Sequence, residues 1–342
     1  MIKGGAILYT LVIATLMVLI TSFLILQFKF SSTYFETSYY HEQLINKVNN
    51  DILLTANNCS YESELPLAEV YSKSSLLSWG AYDVVTSKIR WKSFEYAKAA
   101  LLGSVMNKEI SLYLPDNNQA LYLAGKTNIK GKCYLPKRGV KRAFIEGQSF
   151  SGDKLIDGAV IPSSNYIPNI NPDLINRLLS VKENYLKTDS LFEMSEGIIK
   201  EQSFLENHLL SYSTGLMKIE GVKLSGNIVL FSDKEIHVEA NSLLEDILII
   251  APKVIIKENF VGNIQIVAFD SLVLENKVTL KYPSSLICLN NAKTKTTLSV
   301  GENCDISGVI IAYNNQSDRF NFPTISIQKE SIVKGLIYNS GY

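Results

Sequence analysis

Asp233, Lys253 and Asp270 are the residues whose types and spacing could do chemistry. Two carboxylates and an amine gathered on one outer face would supply acid and base groups for cleaving a polysaccharide. Neither a close carboxylate pair nor a basic cluster accompanies them, and isolated charges ordinarily stay solvated on a surface. The sequence therefore assigns no catalytic residue. His41 and His237 stand alone, and His208, after Glu206-Asn207, is expected on a surface. Lys137-Arg138-Gly-Val-Lys141-Arg142 is the one basic run. It could contact an acidic partner or a phosphate, but a run this short is expected to form a solvated turn between strands. Trp79 and Trp91, the only tryptophans, fall in strand-like stretches and are expected to pack across a sheet rather than to form a carbohydrate platform.

Four cysteines, Cys59, Cys133, Cys288 and Cys304, lie far apart with no Cys-x-x-Cys and no histidine at ligand spacing. That pattern supports no metal centre, and nothing else in the chain implies a cofactor or identifies a small-molecule ligand. The 342 residues carry 33 Lys plus Arg and 33 Asp plus Glu. Such a balance removes the electrostatic case for nucleic acid. Abundant aliphatic and β-branched residues with few prolines favour ordered strands.

The elements that must position these residues begin with an anchor. Residues 6–26 contain no charge, and about 20 apolar residues suffice to cross a bilayer as a helix. The run is longer than a cleaved signal needs and is followed by no small-x-small site, so a retained span is expected. Lys3 and the α-amino group precede it, which favours a cytoplasmic N-terminus with the rest of the chain outside, periplasmic or extracellular. Phe35, Tyr39, Leu44, Val48 and Ile52 then recur at mostly four-residue steps, the mark of a continuing amphipathic helix.

Lys3-Gly4-Gly5-Ala6-Ile7-Leu8, the apolar run and the amphipathic continuation resemble the N-terminal spine of minor pilins and pseudopilins of type IV pilus and type II secretion systems, over about residues 1–55. The resemblance implies leader cleavage at Gly4 or Gly5 by a prepilin peptidase. It also implies that the helix packs into a fibre or its tip through protein partners. Where many such proteins carry Glu at the fifth position after the cut, this chain has Tyr9 or Thr10.

Residues 75–102 alternate aromatic and β-branched residues with polar ones, which predicts two antiparallel strands meeting near 88–91. The C-terminal third repeats short strands in a fixed order. First strands start at Asn227, Asp246, Asn263, Ser285, Gly308 and Gly335, at gaps of 19, 17, 22, 23 and 27 residues. Second strands follow at 236–238, 254–256, 272–274, 298–300 and 325–327, and third strands at 260–261, 278–280, 304–306 and 332–333. Units this short cannot bury an apolar face alone, whereas stacked coils bury a continuous one, so a parallel β-helix is predicted. A β-sandwich accounts less well for the recurring order.

Similar patterns at 121–129 and 143–147 place the first coils earlier. Leu174, Ile175, Leu178, Leu179, Leu191, Ile198, Ile199, Phe204, Leu205 and Leu209 recur at helical steps, which predicts a helical insertion covering a solenoid end. The fold class is thus mainly β, with an N-terminal transmembrane helix, a helical stalk and a parallel β-helix carrying a helical insertion. The expected division is 1–30 leader and anchor, 31–58 stalk, 59–117 β-rich link, 118–171 first coils, 172–212 insertion and 213–342 solenoid. Cys288 falls in register with Leu230, Ile249, Ile266 and Ile311 of the neighbouring first strands and is expected as a buried free thiol. Cys59 and Cys133 lie outside that stack near turns and are the expected disulfide, which would join the stalk to the first coils.

The aliphatic rungs also resemble β-helical scaffolds such as bactofilins. The function expected is that of a non-enzymatic, membrane-anchored structural component of an envelope fibre, pilus-like assembly or secretion apparatus. Two alternatives are a tethered carbohydrate-binding or carbohydrate-cleaving β-helix and a bactofilin-like self-assembling scaffold.

Overall fold

A computed structural model describes residues 4–57, 71–92, 94–103, 110–145, 147–188, 190–290, 292, 294–316 and 320–341. The chain forms two compact units, one of residues up to 77 together with 84–102, the other of residues 78–83 together with 103–342.

In the first unit, α1 (Gly4–Ala56) is one unbroken helix of 53 residues, about 80 Å long at 1.5 Å per residue. Its membrane-length part tolerates hydroxyls because they bond back to the helix: Thr15 Oγ1 donates to the Val12 carbonyl and Thr21 Oγ1 to the Met17 carbonyl, each at 2.9 Å. Strands β1 (Tyr71–Trp79), β2 (Tyr82–Trp91) and β3 (Phe94–Leu102) form a three-stranded sheet in chain order, antiparallel as two-residue turns require. One of those turns falls next to the expected place. The other, at Gly80-Ala81, splits the anticipated first strand in two.

Leu44, Val48 and Ile52 of α1 are buried in one cluster with Val85, Ile89 and Trp91. Burying such side chains is worth about 1.5–3 kcal/mol each. Phe35 and Tyr39, expected on the same stripe, are exposed. Tyr40 is the residue that reaches the cluster, its ring 4.7 Å from that of Trp91, because the steps 40, 44, 48 and 52 keep to one face of the helix.

The second unit holds a parallel β-solenoid of about ten turns. Its first coils comprise β4 (Ile110–Tyr113), β5 (Leu121–Leu123), β6 (Lys132–Leu135), β7 (Val140–Arg142) and, after a small hairpin of β8 (Phe144–Ile145) and β9 (Gln148–Ser149), β10 (Val160–Pro162). β4, β6 and β10 form one parallel sheet, β5 and β7 another. Among the described residues the first coil strand is thus β4 at Ile110, ahead of the expected start near 118. Phe144 and Ile145, expected within a rung over 143–147, instead pair antiparallel with Ser149 and Gln148.

Two short helices follow, α2 (Pro172–Leu179) and α3 (Val181–Tyr185). Asn171 caps α2 by accepting from Asp173 N at 2.9 Å, and Pro172 opens it, as helix starts favour. The expected helix over 172–212 thus ends at Tyr185. Leu191 pairs with Leu210, and β11 (Ile199–Gln202) and β12 (Leu209–Ser213) lie in parallel register against the next coil. Apolar residues at helical steps in that stretch are spent on bent, short strands, since pairing with a neighbouring coil overrides local periodicity. Nor do the helices cover a solenoid end: α2 packs on β18 (Thr279–Asn290), in the middle of the stack.

The remaining strands are β13 (Leu216–Ile219), β14 (Lys223–Ser232), β15 (Glu235–Val238), β16 (Leu243–Ile256), β17 (Val261–Leu274), β18, β19 (Thr297–Val300), β20 (Asp305–Asn314), β21 (Thr324–Ile327) and β22 (Ile332–Asn339). All the second-strand alignments hold: Ile236, Val254, Leu272, Leu298 and Ile325 are stacked partners. Among first strands, Leu230, Ile249 and Ile266 are in the expected register. Ile266 then meets Leu286, not Cys288, and Cys288 sits between Ala268 and Ala312 rather than beside Ile311, which pairs with Ile287. The corner after Leu280 is longer than the one after Gly262, and a slip of two residues keeps every side chain on its face. Cys288 accordingly remains inward and fully buried.

The first-strand sheet is buried on both faces. Inward residues such as Ile247, Ile249, Ile264 and Ile266 fill the solenoid core, and the alternate residues Leu248, Ile250, Gln265 and Val267 are buried as well. Residues 78–83 lie over part of that outer face: Ala81 N donates to Gln265 Oε1 at 2.9 Å and Tyr82 Oη to the Ser284 carbonyl at 3.3 Å. Gly80 has φ +57°, and a Cβ there would stand 2.5 Å from Gln265 Oε1, so glycine makes this turn without displacing that side chain. Trp79 packs edge-on against Tyr185 and Phe204, and Arg177 Nη1 donates to Ser78 Oγ at 2.9 Å and pairs with Asp83.

Candidate functional site

Two surfaces could carry function: the bare apolar part of α1 and the charged exterior of the coils. Side chains from Ile7 to Phe30 that are apolar are exposed all round the helix, with no buried face in the span. Water-facing helices of soluble proteins show polar residues every turn, so a helix apolar on all sides needs an apolar surrounding. By length and composition, α1 can cross a membrane. Gly4 and Gly5, the expected leader cleavage positions, stand at its first described turn.

On the coils, the three candidate chemical residues do not assemble. Asp233 accepts from Lys182 Nζ at 2.7 Å and from Tyr212 Oη, and these two donors hold its carboxyl below the usual carboxylate range. Lys253 is paired with Glu235 at 2.8 Å, and its stacked neighbour in the next coil is Ser271 rather than Asp270. Asp270 is exposed at a corner. Each carboxylate and amine is thus spent on a structural contact or left to solvent, and a shared reacting position does not arise.

His237 shares Glu235 with Lys253; Lys253 first and His237 second hold that carboxyl low. His41 lies in the first unit against the rings of Phe94 and Tyr96. His208, expected at the surface, is half-buried and its Nε2 is 3.0 Å from the Tyr185 carbonyl, because the stretch that carries it wraps as a coil beside α3. Trp79 and Trp91 are both buried packing residues. Among the described residues no group of three His, Cys, Asp or Glu side chains could hold a metal ion.

The exterior of the later coils is dominated by ion pairs that join successive turns: Lys257 to Glu275 at 2.7 Å, Lys277 to Glu258 at 3.1 Å, Lys334 to Asp305 at 2.8 Å and Lys329 to Glu302 at 3.5 Å. Periodic placement of opposite charges one coil apart is a structural ladder, each rung worth about 0–1 kcal/mol at the surface. Sequence inspection had no means of finding these partners, since the spacing that brings them together varies with every corner.

Cys133, Cys288 and Cys304 are buried free thiols. Burial pushes the Cys288 thiol up to about 12 and raises that of Cys133. Cys133 does not lie near a turn as expected: it is inside β6, stacked between Leu112 and Val160. Its expected partner Cys59 lies outside the described residues. Lys137 and Arg138 form an exposed turn between β6 and β7, with Lys141 and Arg142 exposed on β7.

No family model matches this sequence, no curated protein is similar to it, and no solved structure matches it.

Proposed function

We propose that this chain is a non-enzymatic, membrane-anchored structural component of the cell envelope, in which α1 crosses the bilayer with its N-terminus in the cytoplasm and the solenoid is displayed on the other side. The observation that carries the reading is the change of character along one unbroken helix. Side chains from Ile7 to Phe30 are bare all round, whereas Leu44, Val48 and Ile52 are buried against a sheet. A helix of this kind joins a lipid-immersed segment rigidly to a folded one. The solenoid suits display or scaffolding, because the ion pairs on the exterior of its later coils join one coil to the next.

The finer reading is a minor-pilin-like or pseudopilin-like subunit, supported by Lys3-Gly4-Gly5 immediately before the apolar run and by the helix continuing without a break into the stalk. Protein partners would then be recruited through α1. Two measurements test the levels separately. Val18→Arg places a charge in the span at a cost of about 2.5–3.5 kcal/mol and should move the protein from the membrane to the soluble or degraded fraction; unchanged membrane fractionation would overturn the anchor. Intact mass of the mature protein should show loss of the first four or five residues, and an uncut chain would overturn the pilin-like reading while leaving the anchor standing.

A further inference from the structure

The first coils differ from the later ones in what their charges do. Residues 110–171 hold eight Lys and Arg against four Asp and Glu, whereas residues 213–342 hold twelve against thirteen. In the later coils six lysines, among them Lys218, Lys253 and Lys257, reach acidic partners. In the first coils the described ion pair is Lys154 with Asp157; the side chains of Lys137, Arg138 and Lys141 are exposed with no acidic partner among the described residues, the buried Asp116 accepting from the backbone N–H groups of Asn118 and Lys137, and Arg142 rests on the ring of Phe150 at 5.5 Å. Among the described residues, the excess positive charge is therefore not used to hold this part of the solenoid together.

Apolar side chains stand exposed beside it. Tyr122 is the cross-strand neighbour of Lys141, some 4.8 Å away along the sheet, and is 54% exposed. Phe144 and Ile145, two and three residues beyond Arg142 in β8, are 70% and 47% exposed. Unpaired cations flanking an aromatic ring and a bare apolar hairpin match the chemistry of a lipid headgroup region, where the cations meet phosphates and the apolar groups enter the acyl boundary. A soluble polyanion would use the cations and leave Phe144 and Ile145 in water.

We propose that the β5–β7 sheet of the first coils, with the β8–β9 hairpin beside it, is a docking surface for a bilayer bearing anionic headgroups. It rests on the membrane-anchored reading only for the presence of a membrane nearby. The test uses the full chain in nanodiscs of phosphatidylcholine, mixed with separate vesicles either of phosphatidylcholine or containing about 30% phosphatidylglycerol, a charge density in the range of anionic leaflets. The discs should float with the anionic vesicles and not with the neutral ones, and about 0.5 M salt should release them by screening. Lys137→Glu, Arg138→Glu, Lys141→Glu and Arg142→Glu together should weaken flotation at least about tenfold. Phe144→Ser with Ile145→Ser should weaken it with the charges intact. Lys234→Glu, Lys281→Glu and Lys295→Glu, exposed changes on the later coils, should leave it unaltered.

Flotation that is equal with neutral vesicles, absent with anionic ones, or lost as readily in the later-coil variant would overturn the proposal. So would binding that polyphosphate abolishes and the Phe144 and Ile145 changes leave untouched, which would point to a soluble polyanion. A chain that fails to enter nanodiscs contradicts the anchor instead, and the same chain added alone to the vesicles still decides the docking surface.

Discussion

The two long sheets of the later coils are built from the same residue classes and the same coil length, yet they meet opposite surroundings. First strands, as in Ile247–Ala251 or Ile264–Ala268, are buried at every position. Second strands, as in Glu235–Val238 or Thr297–Val300, are buried only at alternate ones. A strand covered on both faces reads as a continuous apolar run, and a strand wet on one face reads as an alternation. In this solenoid the difference marks which side carries α2, α3 and the turn at residues 78–83, and which side is left to the charged ladder.

The comparison is broken most severely from inside. Ile266→Asp puts a carboxylate between Ile249 and Leu286 in a dry core, costing several kcal/mol out of a total of about 5–15, so the thermal melt should collapse. Alkylation of Cys288 reports the same event: its thiol, held up to about 12 by burial, should stay inert at pH 8 in the native chain and react once the core opens. A melt that barely moves would disprove the stacking.

Truncating the outer face of each sheet sharpens the contrast. Leu248 is fully buried on the covered side, and Leu248→Ala should cost about 2–4 kcal/mol in chemical denaturation. Val273, outward on the second-strand sheet and half-buried, should cost under about 1 kcal/mol as Val273→Ala. Equal losses at both positions would mean that the second-strand sheet is also covered.

The ladder gives the smallest effect. Lys257→Ala should lower stability by no more than about 1 kcal/mol, because exposed pairs are weak. Lys257 first holds the Glu275 carboxyl below its ordinary range. A depressed folded value means that the contribution is present above the unfolded carboxylate value of about 4.3 and is lost as pH falls through the folded one. In Lys257→Ala, denaturation midpoints should therefore match those of the parent chain more closely at pH 3 than at pH 7; a gap that widens on acidification would exclude the pair.

Much of this architecture was legible in the chain. The uncharged run at 6–26 required a lipid-compatible helix, and the ordered repeat of short strands required stacked coils. Every second-strand alignment followed from alternation, because a one-residue slip would have turned the apolar side chains outward. The first-strand register failed on both sides of Cys288. The two-residue slip against Ile266 preserves the face, so the pattern cannot detect it, and Ile311, expected beside Cys288, is one residue off the actual partner Ala312, because the apolar run Val309–Ala312 carries no alternation to fix its phase.

The stretch 191–212 was misread as helix because its apolar spacing fits a helix as well as a bent coil, and the strand pairing that chooses between them comes from β14. Likewise, Asp233, Lys253 and Asp270 looked alignable until the corners placed Lys253 beside Glu235 and Ser271. What the sequence by itself determined is which segments must leave water and on which face, since that follows from residue type and period alone. Which coil residue meets which, and which cations are left without partners in the first coils, was decided only by the tertiary structure, because contacts across coils depend on the length and path of the corners between them.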